Sequence, residues 1–179
     1  MKRILSVVCC IALGSISVLA QRKSTSKPTP TMTDQQFVDL AAQTDMVEAN
    51  LGNLAQTTAA SQSVKDYGQM LATDHTKDFS QLNDAARQAS LTVPNAIDAE
   101  HNKKMIDPFQ KLKGTAFDRH YIHEMVAGHT QAIAVYKKEA ADAENPALKS
   151  YAEQALPVLE KHLSAAKDLE NSKSPPSGE

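Results

Sequence analysis

The sequence predicts an all-α protein, in which four amphipathic helices form a bundle with one long crossover connection between helices two and three. Apolar residues recur every three or four positions in four long segments, which is the period of an amphipathic helix. No segment alternates apolar and polar residues in the pattern of a strand. Two connections are short, whereas residues 91–114 form a connection of 24 residues, long enough to return along the bundle.

The amino-terminal residues have the layout of a secretory signal peptide. Two basic residues at positions 2 and 3 precede an apolar stretch over residues 4–20, which ends on small residues. We expect residues 1–20 to be a signal peptide that is cleaved after Ala20, since the stretch is too short for a membrane span. Lipid attachment at Cys9 or Cys10 stays an alternative, although few apolar residues precede them.

Cleavage would remove both cysteines and leave 17 basic and 21 acidic residues, a formal charge of −4. A disulfide and a nucleic-acid partner are therefore excluded on composition. Residues 21–32 are rich in Pro, Ser and Thr and are predicted to be a flexible linker. Residues 33–170 are the predicted bundle, and residues 171–179 are a predicted disordered tail.

Helix one is predicted over residues 34–57, because Thr33 and Gln36 have the spacing of a capping box. Helix two is predicted over residues 63–89. The connection that follows contains a turn at Pro94 and a possible short helix over residues 98–106. Thr115 is the predicted cap of helix three, over residues 115–143, and Asn145-Pro146 opens helix four, which continues to residue 169.

Each helix carries one polar residue near the centre of its apolar stripe: Glu48, His75, His129 and His162. If the long connection crosses the bundle end to end, each of the four lies 15 or 16 residues from the same end. A common rise of about 1.5 Å per residue then places them in one layer. This is the ferritin-like arrangement with one crossover.

Three imidazoles and one carboxylate suit Zn, Fe, Mn or Cu, and helix bundles build metal sites from one ligand per helix. The Glu-x-x-His pairs of di-iron proteins are absent, so the prediction is a single transition-metal ion. Supporting contacts are expected from Asp74, Asp78, Tyr67, Tyr121 and Tyr151. His120 and His123 project away from the stripe, and His101 carries no signal. The alternative is a metal-free His/Glu network that fixes helix register.

A set of segments resembles a bacterial family of exported proteins with a ferritin-like bundle, often labelled predicted outer membrane proteins and of unknown function. The segments, in order, are Asp34-Gln35-Gln36-Phe37-Val38 with Glu48, Val64-Lys65 with Asp74-His75-Thr76, Gly114 with Phe117-Asp118 and Tyr121, His129, Leu156-Pro157 and His162-Leu163. The resemblance covers residues 33–170 and implies fold and export, with no activity to transfer. A periplasmic location is expected, with outer-membrane association as the variant that the label implies.

The functional prediction is an exported metal-binding bundle that serves storage, buffering or redox protection. The competing prediction is a metal-free envelope stress or interaction module. Whether the protein is an enzyme stays open, although a nucleophile elbow of the Gly-x-Ser-x-Gly type is absent. The protein partner is undefined, and a homodimer is compatible with the sequence.

Overall fold

A computed structural model describes residues 32–172, so the predicted signal peptide and nearly all of the predicted linker and tail lie outside the described residues. Four long helices make up the described part: α1 (Asp34–Thr58), α2 (Gln62–Gln88), α3 (Gly114–Asp142) and α4 (Pro146–Ser172). Residues 32–172 contain no strand beyond an isolated bridge. The all-α prediction is confirmed.

The crossover runs from one end of the bundle to the other. A three-residue turn joins α1 to α2, and the side chain of Asp118, in the first turns of α3, accepts hydrogen bonds from the backbone N–H groups of Ala60 (2.9 Å) and Ser61 (3.0 Å) in that turn. The start of α3 therefore lies beside the start of α2. These two helices are parallel, and residues 89–113 return along the whole bundle, as predicted.

Three of the four helix starts can be compared with the sequence. Thr33 and Gln36 form the predicted capping box, with hydrogen bonds of 3.2 and 2.9 Å. Asn145 accepts from the backbone N–H of Ala147 at 3.0 Å, as expected for a cap. Thr115 does not cap α3, because that helix begins at Gly114, where a φ of +61° suits a residue without a side chain.

The crossover is built from short helical turns held against α1. Asp98 caps a single turn, Ala99–His101, which continues into a π-helical turn, Asn102–Ile106. The side-chain amide of Gln43 donates to the carbonyl of Ala96 at 3.1 Å and accepts from the N–H of Asp98 at 3.0 Å. Gln43 thus fixes the height at which the turn carrying His101 lies along α1.

Two apolar clusters fill the bundle, and a polar layer separates them. One cluster contains the start of α1, the end of α2 and the start of α4, and the other contains the opposite ends together with Ile106 and Phe109 of the crossover. Between them along the helices lie the buried polar residues Asp45, Glu48, His75, His129 and His162. Polar groups placed inside an apolar core need partners, so this layer is the part of the protein to examine for function.

Helices α1 and α2 touch through their backbones near this layer. A Cβ atom added to Gly52 would lie 2.5 Å from the carbonyl oxygen of Gly68, and one added to Gly68 would lie 2.7 Å from Cβ of Ala55. Only glycine permits such an approach. The contact lies one turn from Glu48 and draws α1 against the face of α2 that carries His75.

Candidate metal centre

His75 is anchored by a buried carboxylate of α1. Its side chain is 2% exposed, and its Nδ1–H donates to Oδ1 of Asp45 at 2.8 Å. Burial raises the pKa of Asp45 well above its usual value, and a hydrogen bond from Asp78 opposes that rise. Burial, followed by the charge of Asp45, raises the pKa of Asp78 to about 7. The protonated forms of both carboxyl groups are therefore favoured by burial, and Oδ1 of Asp45 faces His75.

His129 and His162 are held by acceptors on the outer side of their rings. Nδ1–H of His129 donates to the backbone carbonyl of Met125 at 2.9 Å, one turn earlier on the same helix. Nε2–H of His162 donates to Oδ2 of Asp74 at 2.9 Å. Each neutral ring has one N–H, so the nitrogens that remain, Nε2 of His129 and Nδ1 of His162, carry lone pairs.

These two lone pairs face each other across 3.3 Å. In the tautomers set by Met125 and Asp74 neither nitrogen carries a proton, so the pair offers two lone pairs to a cation. The third ring, His75, lies against both, with centroid distances of 5.8 Å to His129 and 5.2 Å to His162. Its Nε2 is buried and has no hydrogen-bond partner among the described residues. One nitrogen from each ring lies within 4.8 Å of the others.

Burial favours the neutral forms of His129 and His162. It lowers the pKa of His129, although the charge of Glu48 acts in the opposite direction. It lowers the pKa of His162 to about 4 in spite of the hydrogen bond to Asp74, which favours the charged form. A proton shared by the two nitrogens is therefore disfavoured at neutral pH, because it would charge a ring whose charged form burial disfavours.

Glu48 lies beside the three rings on the far side of His129. Its Oε1 is 3.9 Å from Nδ1 of His129, the nitrogen that points away from the cluster. Its Oε2 is buried without a hydrogen-bond partner among the described residues. The structure thus brings together three of the four predicted ligands and places the carboxylate of Glu48 behind one of them. Coordination by Glu48 stays a prediction.

The other predicted supporting residues lie at different distances from the rings. Asp74 contacts His162 directly, whereas Asp78 interacts with His75 through its charge. The hydroxyl of Tyr67 donates to the backbone carbonyl of His162 at 3.2 Å, and that of Tyr151 donates to Asp78 at 2.8 Å. The Tyr121 hydroxyl is buried without a partner in the described part of the chain. Its pKa is raised, first by burial and then by the charge of Glu48.

Sequence reasoning missed Asp45, although a signal was present. Asp45 lies four residues after Ala41 and three before Glu48, on the same stripe of α1, and it is 1% exposed. Of the remaining histidines, His123 is on the surface as predicted. His120 is only partly exposed, because its ring packs on Phe109 with a centroid distance of 4.8 Å.

The comparisons with known proteins concern the family and the fold. A family described as a domain of unknown function, DUF4142, matches residues 19–169. No curated protein matches the chain. A CopM structure described as the Ag-bound form, by co-crystallization, matches with a TM-score of 0.65 and 16% identity, covering 81% of this chain and 100% of that one.

A second CopM structure, described as the Cu(II)-bound form, matches with a TM-score of 0.67 and 15% identity over the same shares of the two chains. At these identities the likeness shows the fold alone. Neither the family description nor these two structures name a ferritin, so the ferritin-like family relationship stays a prediction.

Proposed function

Because this chain belongs to the DUF4142 family, whose description assigns no activity, we propose its function from the site itself: the bundle binds one transition-metal ion through His75, His129 and His162. The observation that carries this proposal is the pair of lone-pair nitrogens on His129 and His162, 3.3 Å apart in a buried layer. A metal ion between them, completed by Nε2 of His75, would satisfy all three nitrogens.

The spacing of the nitrogens fits a metal ion. Nitrogen–metal bonds of about 2.0–2.1 Å at a tetrahedral angle separate two ligand nitrogens by roughly 3.4 Å. The pair on His129 and His162 already has this separation, and the three-nitrogen group spans at most 4.8 Å. Closing it around an ion requires one ring to shift by up to roughly 1.4 Å. Asp45, the Met125 carbonyl and Asp74 hold the outer nitrogens, as acceptors behind metal-bound histidines do.

Imidazole ligands suit copper, zinc and iron better than manganese. The CopM structures were described with silver and copper(II), so copper is the first ion to test for this chain. The carboxylates of Asp45, Asp74 and Glu48 would balance the charge of the ion. A buried site of this kind favours storage, buffering or redox protection, and no reaction is assigned to it.

The periplasm is the location we propose for this function, on the strength of the basic and then apolar pattern of residues 1–20. None of the helices within residues 32–172 is both long and apolar enough to cross a membrane. Association with the outer membrane has no support in the described residues.

Elemental analysis after loading tests the proposal. The purified protein is loaded separately with copper, zinc, iron and manganese and dialysed against a weak chelator. The variants His75→Gln, His129→Gln and His162→Gln are treated in parallel, with His123→Gln as a matched control from the surface of α3. We expect one equivalent of one metal in the wild type and the control, and less than about a tenth in the three variants.

Circular dichroism shows whether each variant is folded. If a single substitution unfolds the protein, the double variant His75→Leu with His129→Leu is tested instead, because it replaces both buried polar groups by apolar ones. Wild-type protein that retains no metal after loading with all four ions would refute the proposal. Equal retention by folded His variants would refute it as well.

A metal-free structural network is the second candidate. It is favoured by the fact that five of the six ring nitrogens already have a protein atom within hydrogen-bond distance, His75 Nε2 being the exception. In this case the bundle would be an envelope stress or interaction module with an unidentified protein partner. It predicts that His75→Leu leaves stability unchanged or raised, since an apolar residue of similar size can replace a buried polar network. It also predicts no stoichiometric metal.

A further inference from the structure

A groove lies on the outer side of Glu48, between α1, α3 and the crossover. It encloses about 230 Å³, and its walls include Thr44, Val47, Glu48, His101, Met105 and Gly128. His101 and Met105 belong to the crossover, which the predicted metal ligands do not use. The groove therefore joins a part of the chain without an assigned role to the layer that contains the three histidines.

Glu48 forms the inner end of this groove. The residue is 7% exposed, and its buried Oε2 has no hydrogen-bond partner among the described residues. Its Oε1 lies 3.9 Å from Nδ1 of His129, whose Nε2 lies 3.3 Å from His162. The ring of His129 thus separates the carboxylate from the other two imidazoles. Gly128 places no side chain beside the carboxylate, and a Cβ atom at this position would lie 3.6 Å from Oε1.

The outer end of the groove carries two donor side chains one turn apart. Nδ1–H of His101 donates to Oδ2 of Asp98 at 2.9 Å, which leaves a lone pair on Nε2. Met105, four residues later, is 36% exposed, unusually high for a large apolar side chain in this protein. His101 lies beside the π-helical turn Asn102–Ile106 and Met105 lies within it. This backbone form is rare in proteins overall, but many of its occurrences are at functional sites.

An imidazole, a thioether and a buried carboxylate together favour a soft cation. Thioether sulfur selects copper(I) and its analogue silver(I) over harder ions. The carboxylate supplies the negative charge that draws a cation inward, in a site with low-dielectric walls that strengthen the attraction. A neutral organic ligand would leave the Glu48 carboxylate without a partner.

We propose that this groove is the entry port through which copper(I) approaches the buried centre, with His101 and Met105 as the capturing side chains and Glu48 as the carboxylate that holds the ion at the inner end, beside the ring of His129. The inference rests on the proposed function, because it assumes that the three histidines hold the ion at the end of the path. His101 and Met105 would then affect the rate at which copper is loaded, but not the affinity of the final site.

Loading kinetics distinguish an effect on the loading rate from an effect on the final affinity. Copper(I) is presented as a complex with a coloured chelator, and its transfer to the protein is followed by absorbance for the wild type and for the double variant His101→Asn with Met105→Leu. The matched control, His123→Asn with Met32→Leu, removes one exposed histidine and one exposed methionine away from the groove. Circular dichroism confirms that both variants are folded, as expected for changes at exposed positions.

The groove variant is expected to load at least about tenfold more slowly than the wild type, because it lacks both capturing side chains. Its equilibrium affinity for copper(I) should stay within twofold of the wild-type value. The control variant should match the wild type in both loading rate and affinity. Loading of the groove variant within twofold of the wild-type rate, with binding retained, would overturn the port alone. Wild-type protein that takes up no copper at equilibrium would overturn both the port and the buried centre.

Discussion

The substitution Asp45→Asn separates a metal centre from a structural network most directly. Asp45 is 1% exposed and accepts from Nδ1–H of His75 at 2.8 Å. Asparagine has the same shape and can keep this hydrogen bond through its carbonyl oxygen, while its amide can donate to Asp78. The change therefore removes a negative charge behind His75 and leaves the geometry in place.

The magnitude follows from the distance between that charge and the ion. The 2.8 Å hydrogen bond, the width of the ring and an ordinary nitrogen–metal bond place the carboxylate oxygen roughly 7 Å from a bound ion. At an effective dielectric constant of about 20, one unit charge on the ion gains about 2.4 kcal/mol from this carboxylate. That lies within the range of about 10–100-fold in affinity typical of groups behind metal-bound histidines.

Competition against a chelator of known affinity measures the effect, with Asp84→Asn as an exposed control on α2. We expect the metal affinity of Asp45→Asn to fall by about 10–100-fold. Urea denaturation of the metal-free protein should show stability equal to the wild type or higher, because burial disfavours the charge that is removed. Unchanged metal affinity, or a loss of more than about 3 kcal/mol in the metal-free protein, would refute the reasoning and favour the network.

Three further predictions concern pH, helix packing and the crossover. Because burial lowers the pKa of His162 from 6.5 to about 4, the stability tied to its neutral form is present above pH 6.5 and lost as the pH falls towards 4. Metal occupancy, measured by elemental analysis, should therefore persist at about pH 5.5, where free histidine is mostly charged. Gly52→Ala should cost about 1–3 kcal/mol in urea denaturation, since its Cβ would lie 2.5 Å from a backbone oxygen. Gly128→Ala, which meets only an ordinary contact, should gain about 0.5–1 kcal/mol. Asp118→Ala should cost about 1.5–3 kcal/mol by the same assay, because two backbone N–H groups lose a charged acceptor, and equal stability of Asp118→Ala and Asp66→Ala would contradict this.

The four helices and their arrangement could be predicted because both depend on features that the sequence carries directly. A stripe of apolar residues with a period of 3.6 identifies each helix, and the rise per residue places His75, His129 and His162 at one level. Once the length of the crossover fixed the direction of α3, few arrangements remained. The starts of α1 and α4 were predicted correctly, and the other boundaries differ by one to three residues; α3, for example, begins at Gly114 without a side-chain cap.

Membership of the cluster depends on side-chain positions that a helical projection cannot resolve. The projection placed Glu48 in the layer but could not show that its oxygen faces the outer nitrogen of His129. Asp45 was missed because the prediction sought one polar residue per helix, and α1 carries two on its buried face. His101 gave no signal because its contact with the groove depends on how the crossover folds against α1, which the side chain of Gln43 decides.

The two tyrosine hydrogen bonds between α2 and α4 are reciprocal, and this has a consequence for assembly. Tyr67 of α2 donates to residue 162 of α4, and Tyr151 of α4 donates to residue 78 of α2. On each helix the two contact positions are therefore 11 residues apart. The two helical hairpins, α1–α2 and α3–α4, therefore contact each other through equivalent tyrosine hydrogen bonds. The 25 residues between Gln88 and Gly114 can extend to roughly 80 Å, well beyond the length of the bundle. A hairpin can consequently pair with its counterpart in another molecule with both tyrosine contacts kept, at the cost of releasing the crossover, whose Ile106 and Phe109 are buried in the core.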